Sequence, residues 1–379
     1  VITCNWPIDA DKLMKLGEDL LDVLHFDKAI ELFRFALCVR LQMLCGSDVD
    51  IAESYGWLGR AYDDKGEYDK AIAHFEEALN IWTNILGSAA HPDIATLYST
   101  LGDVYKKKRE HEKAIEYYNK ALNIKNAEPE HDKLNIACLR NDLGSVHNIC
   151  GEHELALQNH KLSFESRSAI LGHNHPDVAT SHDYLGSVHQ ITKDYDKAIE
   201  CYNKSLEIRL DKLGRNHLDV GNSYNSLGSV YDDKQEYDKA IENYKEALKI
   251  NLEKLGLEHP DVAASYNNLG VVYNNKGEYQ ESITYFNTSL EFGILWSLII
   301  LMLLFHTTIW HYNGNWKEKL DPDHPDVGVS YEILGDIFLK SGKKAEAKKC
   351  YEKVHSIFTS KLDRDCQDIK EVNAKLKNL

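Results

Sequence analysis

The chain has 379 residues, of which 27% are charged and 43% hydrophobic, and it carries a net charge of −16. This composition is ordinary for a soluble protein, and the negative charge without a dense Lys/Arg stripe argues against a nucleic-acid partner. The eight cysteines include no Cys-x-x-Cys pair, which is typical of a reducing compartment. The first residues show no charged segment followed by an apolar one, so no signal peptide is expected.

The pair Leu-Gly recurs along the chain at a nearly constant spacing. Its glycines stand at positions 17, 59, 102, 144, 186, 228, 270 and 335, so the spacing is 42 or 43 residues until the last interval, which is 65. The second repeat shows the surrounding pattern as SYGWLGRAYDDKGEYDKAIAHFEEALNIW. A fixed period of this length predicts a repeat architecture in which each unit contacts its neighbours.

Each repeat is predicted to form two helices joined by a turn. Apolar residues three and four positions apart mark one face of each helix, and Lys65-Gly66-Glu67 supplies the turn in the second repeat. The fixed glycine and the alanines let the two backbones approach, while aromatic residues fill the remaining space. In the second repeat these faces consist of Tyr55, Leu58 and Tyr62, and of Ala71, Phe75 and Ala78.

These residues resemble the tetratricopeptide repeat, and the resemblance covers nearly the whole chain. The period of 42 residues exceeds the usual 34 of that family. The longer form, with its His-Pro-Asp entry, resembles the repeats of kinesin light chains and related scaffold proteins. The resemblance implies an all-α, right-handed superhelical solenoid of about eight helix-turn-helix repeats, closed by a C-terminal capping helix.

The repeat pattern predicts five segments in chain order. The capping helix is expected from the apolar stripe of Ile369, Val372, Leu376 and Leu379. The segments are an N-terminal tail (1–10), repeats 1–7 (11–291), an apolar insertion that interrupts repeat 7 (292–315), the end of repeat 7 with repeat 8 (316–362), and the capping helix (363–379).

The apolar run FGILWSLIILMLLFHTTIW, Phe292–Trp310, lies within that insertion. Removing residues 293–315 restores both the period and the pattern, which favours a translated non-coding segment. A transmembrane helix is an alternative, since 19 residues are near the lower limit for crossing a bilayer. A soluble insertion that docks on the repeats or on a partner is a third possibility.

Histidines recur at two kinds of position. His-Pro-Asp stands at 91–93, 175–177, 259–261 and 324–326, with His217-Leu218-Asp219 as a variant. Its recurrence once per repeat predicts a helix entry rather than a chaperone-type loop or a metal site. A second group replaces core aromatic residues, and we expect satisfied core histidines there, with metal binding or pH sensing as the alternative. That group consists of His147, His160, His182 and His189.

In solenoids of this kind the first helices line a concave groove. The positions three before, one after, and four and five after the fixed glycine hold mostly Asn, Ser and Asp. Asn side chains both donate to and accept from a peptide backbone, so an extended segment could be held there. In kinesin light chain repeats the Asn of Tyr-Asn-Asn-Leu contacts cargo peptide, and Asn225 and Asn267 match it. The candidate peptide-binding residues are Arg60, Ser99, Lys106, Asn141, Asn225, Asn267 and Asn274.

The sequence therefore predicts a non-catalytic, cytoplasmic scaffold or adaptor that binds extended or helical segments of other proteins. No nucleophile elbow, phosphate-binding loop, dinucleotide fingerprint or zinc motif is present, so neither catalysis nor a cofactor or metal is expected. Two alternatives stay open. One is a membrane-associated repeat protein tethered through residues 292–310, and the other is the sensor array of a larger signalling protein.

Overall fold

The computed structural model describes residues 9–42, 47–87, 91–127, 133–257, 259–290, 325–340, 342–361 and 367–377. The described residues form helices joined by turns and divide after Gly172 into two compact units. The first unit (residues 9–172) contains α1 (Ala10–Asp22), α2 (Phe26–Gln42), α3 (Asp48–Asp64), α4 (Tyr68–Leu86), α5 (Pro92–Lys107), α6 (His111–Ala127), α7 (Lys133–Ile149) and α8 (His153–Leu171).

The second unit (residues 173–377) continues the alternation of first and second helices. Its final helix follows the last complete pair. The helices are α9 (Pro176–Ile191), α10 (Tyr195–Leu213), α11 (Leu218–Asp233), α12 (Tyr237–Leu255), α13 (Pro260–Lys276), α14 (279–290), α15 (Pro325–Lys340), α16 (Lys344–Lys361) and α17 (Gln367–Lys377).

Within each pair the two helices meet at the fixed glycine. A Cβ atom placed there would lie only 2.4–2.9 Å from a ring atom of the residue sixteen positions later, which is too close for any side chain. The predicted role of this glycine is thus confirmed. Because it has no side chain, an aromatic ring of the second helix packs directly against the backbone of the first helix. The pairs are Gly17–Phe33, Gly59–Phe75, Gly102–Tyr118, Gly144–His160, Gly186–Tyr202, Gly228–Tyr244, Gly270–Phe286 and Gly335–Tyr351.

Successive pairs pack through the second helix of one repeat and the first helix of the next. In the first unit α2 contacts α3, α4 contacts α5 and α6 contacts α7, and in the second unit α10 contacts α11 and α12 contacts α13. The leucine before the fixed glycine is buried in these first helices, as Leu58, Leu101 and Leu227 show with 0–2% exposure. Burying each such side chain stabilises the array by about 1.5–3 kcal/mol.

The recurring histidine begins the first helix of a repeat. Nδ1 of His91, His175, His217 and His259 accepts a hydrogen bond from the backbone N–H two residues later, at 3.1–3.2 Å. The ring nitrogen satisfies one of the free N–H groups at the helix start. In the three His-Pro-Asp motifs proline at the next position brings no N–H of its own, whereas His217 is followed by Leu218. The predicted helix entry is therefore confirmed for these four motifs, while His324 lies outside the described residues.

Turn lysines tie neighbouring repeats together. The Nζ of each lies 2.7–2.9 Å from an Asp on the second helix of the preceding repeat and 2.5–2.8 Å from a Glu two residues further along its own repeat. In the fourth and fifth repeats the same position holds Cys150 and Thr192. The turn lysines are Lys65, Lys108, Lys234 and Lys276.

Helix α17 packs on α16 in the position that a further first helix would take. Ile369 and Val372 are 4% and 0% exposed and belong to one apolar cluster with Tyr351. Lys375 Nζ lies 2.8 Å from Glu332 Oε1 and 2.9 Å from Asp336 Oδ1. The last complete repeat is thus covered by an apolar stripe and an ion pair.

The predicted all-α fold of consecutive packed helix pairs is confirmed in the described residues. The apolar insertion, residues 292–315, lies outside them, so its three interpretations and the five predicted segment boundaries stay predictions. None of the helices that the structure describes is long and apolar enough to cross a membrane.

Candidate functional site

The candidate site consists of the polar positions that recur on the first helices. We call them the first-helix rows: three before, one after, four after and five after the fixed glycine. Hydrogen bonds between α9 and α11 and between α11 and α13 show that rows of successive repeats lie side by side in the second unit. A partner segment that crosses the first helices would therefore contact one residue of each row in every repeat.

In the second unit, amide groups link neighbouring first helices. Asn225 Oδ1 accepts from Asn268 Nδ2 at 2.9 Å, and Asn275 Nδ2 lies 3.1 Å from both carboxylate oxygens of Asp232. Such side-chain pairs hold the amides in fixed orientations before any ligand arrives. Two of the predicted residues, Asn225 and Asn267, therefore stand at the same register of adjacent helices.

Gln190 extends this network towards α9. Its Nε2 donates to Ser229 Oγ at 3.0 Å and to Asp233 Oδ2 at 2.5 Å, while its Oε1 accepts from the hydroxyl of Tyr202 at 3.0 Å. All hydrogen-bonding atoms of this amide are used inside the protein. Gln190 thus orders the row, and the sequence reasoning did not single it out.

Asn267 and Asn274 lie seven residues apart on α13 and share one face of it. Both side chains are half-buried. In the part of the chain that the structure describes, the Oδ1 atom of each is buried and has no hydrogen-bond partner. Unsatisfied buried acceptors are uncommon in proteins, so this pair of amides is a place where an incoming donor would be favourable.

Ion pairs dominate the corresponding rows of the first unit. Lys106 Nζ lies 3.3 Å from Asp142 Oδ1, and Lys107 Nζ lies 2.7 Å from Asp63 Oδ2. Arg60, which is largely exposed, is 3.8 Å from a carboxylate oxygen of its own helix, and its guanidinium lies 5.2 Å from the centre of the Trp57 ring. The predicted cations are thus present but already have partners.

The remaining two predicted residues of the first unit differ in accessibility. Ser99 is half-buried on α5. Asn141 is only 6% exposed, and its Oδ1 lies 2.7 Å from Nδ1 of His160. The ring nitrogen of His160 needs a polar partner where other repeats have Phe or Tyr, and Asn141 provides it. Asn141 is thus buried with its oxygen already in use, and it is the least accessible of the seven candidate residues.

A buried arginine network was missed by the sequence reasoning. Arg209 on α10 lies 2.6 Å from Asp183 Oδ2 and donates to Ser223 Oγ at 2.7 Å. Arg40 makes the equivalent contact with Ser54 in the first unit, at 2.7 Å. The sequence does contain a signal for this network. In both repeats the arginine stands seven residues after the core aromatic residue.

Carboxylates in and beside the rows are partly removed from water. Burial raises the pKa of Asp64, Asp142, Asp183 and Asp232 above the usual range, and nearby cations or amides oppose that shift. A carboxylate in such a place gains more from a hydrogen-bond donor or a cation than one in bulk water. The rows therefore favour partners that bring donors or positive charge.

The histidines that replace aromatic residues are mostly enclosed. Burial lowers the pKa of His160 and of His182 to about 4, and both rings are therefore neutral at physiological pH. His147 Nδ1 lies 2.5 Å from Glu152 Oε2. Within the described ranges, His, Cys, Asp and Glu side chains form no group of three or more that could hold a metal ion.

Comparison with known families decides the class of protein. The tetratricopeptide repeat family matches residues 9–84, 50–127, 135–211, 182–253, 219–292 and 329–357, which together make up well over half of the chain. The chain belongs to the tetratricopeptide repeat family. Proteins of this family typically mediate protein–protein interaction, and the repeat fold is generally a non-catalytic scaffold.

Solved structures with the same fold share little sequence with this tetratricopeptide repeat chain. A signal transduction ATPase of Pyrococcus horikoshii with a tetratricopeptide repeat sensor has a TM-score of 0.58 and 18% identity, over 77% of this chain and 43% of that one. A Podosopora anserina protein described as a kinesin light chain, with nearly identical TPR-like repeats, has a TM-score of 0.48 and 19% identity, over 53% and 96%. The similarity to the signal transduction ATPase concerns the fold alone.

One curated protein, HGV2 of Halocynthia roretzi, is 37% identical to the chain over 68 residues. That match covers 18% of this tetratricopeptide repeat chain and 13% of the length of HGV2. The chain therefore matches only about an eighth of this relative.

Proposed function

We propose that this chain is a non-catalytic scaffold that binds an extended segment of a partner protein across the first helices of its second unit, in the manner of kinesin light chain repeats. The observation that carries the proposal is the set of row amides on α11 and α13. Asn225 and Asn267 stand at the same register, and Asn274 lies on the same face of α13 as Asn267, at the position where α11 has Asp232. Family membership supports the general role, since tetratricopeptide repeat proteins typically bind other proteins.

The spacing of the rows suits an extended peptide. Packed helices lie about 8–10 Å apart, and an extended chain rises about 3.3 Å per residue, so equivalent side chains on neighbouring helices recur about every third residue of a peptide. Asn225 has its oxygen engaged by Asn268 and offers its N–H groups to a peptide carbonyl. Asn267 and Asn274 have unsatisfied oxygens, which a small rotation of each amide would offer to a peptide N–H.

The charge of the rows indicates the chemistry of the partner. The row positions of α11 and α13 include Asp232 and Asp233 but neither Lys nor Arg. A like charge placed beside these two carboxylates, of which Asp232 is partly desolvated, would be unfavourable. We therefore infer a neutral or basic segment, in contrast to the acidic cargo motifs that basic residues attract in kinesin light chains.

The first-unit candidates have a smaller part in the proposal. Arg60 and Ser99 are accessible, Lys106 is already paired with a carboxylate, and Asn141 is buried. We place the protein in the cytoplasm, where its free thiols, such as Cys150, would remain reduced. A sensor role inside a larger protein and a membrane tether through residues 292–310 remain the alternative contexts for the same surface.

Peptide selection tests the proposal directly. A phage-displayed library of random peptides would be selected on the full-length chain, and the affinity of enriched peptides measured by calorimetry. We expect Asn225→Ala combined with Asn267→Ala to weaken these peptides by about tenfold or more, because two hydrogen bonds to the peptide backbone are lost. The melting temperature should change little, because both side chains lie at the edge of the packed core.

Asn243→Ala is the matched control. This asparagine is half-buried on the second helix α12 of the same unit, and its Nδ2 donates to the carbonyl of Lys239 in its own turn at 2.8 Å. It should leave peptide affinity unchanged. Equal affinities for the double variant and for wild type would remove the amide row from the binding site. Failure to enrich any peptide would count against the scaffold function itself.

A further inference from the structure

Two of the eight repeats carry a pair of aspartates at the row positions four and five after the fixed glycine. Asp63 and Asp64 end α3, and Asp232 and Asp233 end α11. They are called here the α3 pair and the α11 pair. Negative charge is unfavourable in the last turn of a helix, because the free carbonyl groups there already carry partial negative charge. Each pair is therefore a place where a cation would be favourable.

The α3 pair has two cations from its own chain. Lys107 stands five after the fixed glycine of the next repeat, and its Nζ lies 2.7 Å from Asp63 Oδ2. Arg60 stands one after the fixed glycine of the same helix, and its Nε lies 3.8 Å from Asp64 Oδ2. The first unit thus shows which cations accompany an aspartate pair at these row positions.

The α11 pair has neutral residues at both of these positions. Asn275 stands where the α3 pair has its lysine, and its Nδ2 lies 3.1 Å from both carboxylate oxygens of Asp232. Ser229 stands where the α3 pair has its arginine. Gln190 Nε2 donates to Asp233 Oδ2 at 2.5 Å. These neutral donors use part of the hydrogen-bonding capacity of the two carboxylates, but they do not neutralise their charge.

The lysines that are nearest in sequence are engaged elsewhere. Lys234 follows the α11 pair directly, yet its Nζ lies 2.9 Å from Asp196 and 2.8 Å from Glu236. Lys276 makes the two equivalent contacts one repeat later. In the part of the chain that the structure describes, neither member of the α11 pair forms an ion pair with a lysine or an arginine.

The α11 pair lies beside the amides to which the peptide is assigned. Asp232 follows Asn225 by seven residues, so the two side chains share one face of α11 and lie about 10 Å apart along the helix. A lysine or arginine on a peptide that contacts Asn225 could span this distance with its long, flexible stem, together with the reach of the aspartate side chain.

We propose that the α11 pair binds a lysine or arginine side chain of the partner segment, in the place that the chain's own cations take at the α3 pair. This inference rests on the peptide site proposed above, and it makes Asp232 and Asp233 specificity-determining residues of that site. The incoming cation would neutralise two like charges at the end of α11. Because Asp232 is partly desolvated, its carboxylate gains more from a cation than one in bulk water does.

A double-mutant cycle between chain and peptide tests this contact. Peptides selected on the full-length chain should share one lysine or arginine, and a synthetic copy with norleucine at that position keeps an apolar stem without the charge. We expect Asp232→Asn combined with Asp233→Asn to weaken the selected peptide by about tenfold. The norleucine peptide should bind both chains with the same, weaker affinity. Asparagine keeps an acceptor for Gln190 and Asn275, so the fold should be unaffected.

Two further variants separate the α11 pair from the general attraction of basic peptides to a chain of net charge −16. Glu207→Gln combined with Glu242→Gln removes the same number of charges from exposed positions on the second helices α10 and α12, and it should leave the affinity unchanged. Asn275→Lys restores the lysine that the α3 pair has. It should weaken the selected peptide by about tenfold, because the chain's own cation then occupies the pair.

The outcomes distinguish this inference from the scaffold function. Peptides that depend on Asn225 and Asn267 but share no basic residue would overturn the role of the α11 pair and leave peptide binding intact. Equal losses in the aspartate variant and in the glutamate control would assign the effect to net charge and overturn that role as well. If no peptide is enriched, peptide binding itself is wrong, and this inference fails with it.

Discussion

The two units share one core design and differ in what joins their first helices. In the first unit the contacts between neighbouring first helices are ion pairs, such as Lys107–Asp63. In the second unit they are amide hydrogen bonds, such as Asn268–Asn225 and Asn275–Asp232. The repeat pattern therefore specifies how helices pack, while the residues at the row positions differ between the two units.

This difference has physical consequences for binding and stability. Exposed ion pairs weaken as salt rises, whereas hydrogen bonds between neutral amides do not depend on ionic strength in that way. Cations that are committed to Asp63 and Asp142 are not free for a partner. The amides of the second unit keep unsatisfied atoms, which is why we place the peptide there.

The largest expected effect comes from the arginine networks, which differ in how far their carboxylates are buried. Arg209→Met should destabilise the second unit by about 3–4 kcal/mol, because it leaves Asp183, whose side chain is 23% exposed, without its cation. Arg40→Met should cost less, because its partner Asp11 is 84% exposed and remains hydrated. Urea unfolding of both variants measures the difference.

The Arg209 variant also has a defined pH dependence. Burial already raises the pKa of Asp183, and loss of the guanidinium raises it further. A carboxyl group with a raised folded-state pKa favours the folded state when protonated, so the variant should recover stability as the pH falls through that pKa. Asp183→Asn in the same background should remove this pH dependence. Equal losses for Arg40→Met and Arg209→Met would contradict the burial argument.

The second prediction concerns His160, which the first unit buries where other repeats have Phe or Tyr. Its pKa is about 4 in the folded state against 6.5 for a free histidine, so the unfolded chain takes up the proton first as the pH falls. Stability from this group is complete above pH 6.5 and should fall by up to about 3 kcal/mol on acidification to pH 4.

His160→Phe should flatten this part of the stability–pH curve. The measurement is the slope of the unfolding free energy between these pH values, since the variant also leaves Asn141 without its partner and therefore changes the absolute stability. Part of the slope should persist because burial also lowers the pKa of His182. An unchanged slope would show that His160 is accessible to protons in the folded protein.

The smallest effect tests the core that both units share. Gly59→Ala should destabilise the chain by about 2 kcal/mol, because the new Cβ would lie 2.7 Å from the Phe75 ring and would force the helices apart. Gly56 is three residues earlier in the same helix, and a Cβ there meets nothing within 4 Å. Gly56→Ala should therefore stabilise by about 0.5–1 kcal/mol through helix propensity. Thermal melts that rank the two variants in the opposite order would contradict the assigned packing.

Much of the fold could be predicted from the sequence because residues that recur once per period mark the same structural position in every repeat. The glycine sixteen positions before an aromatic residue predicts the close approach of two helices, and the recurrence of His-Pro-Asp predicts a helix start. The capping role of the His91 ring was not predicted, because Pro and Asp alone account for a helix entry. The pattern inside one repeat is sufficient to predict the contact between its glycine and its aromatic residue.

Contacts between repeats were harder to predict. The hydrogen bond from Arg209 to Ser223 of the next repeat depends on how far one repeat is displaced against the next, which a single period does not specify. Within the fourth repeat, the contact between Asn141 and His160 was equally hard to predict, because it follows from the change of one aromatic residue to histidine, whose ring nitrogen needs a polar partner. Both could have been suspected only by comparing the same position across all repeats.

Hydrogen–deuterium exchange of the full-length chain, with and without a selected peptide, tests the central claim most directly. The account predicts slower exchange in α11 and α13 on peptide binding, little change in α12, and loss of this protection in the chain that carries Asn225→Ala and Asn267→Ala. Protection confined to second helices, or protection that persists in that double variant, would contradict peptide binding by the first-helix amides.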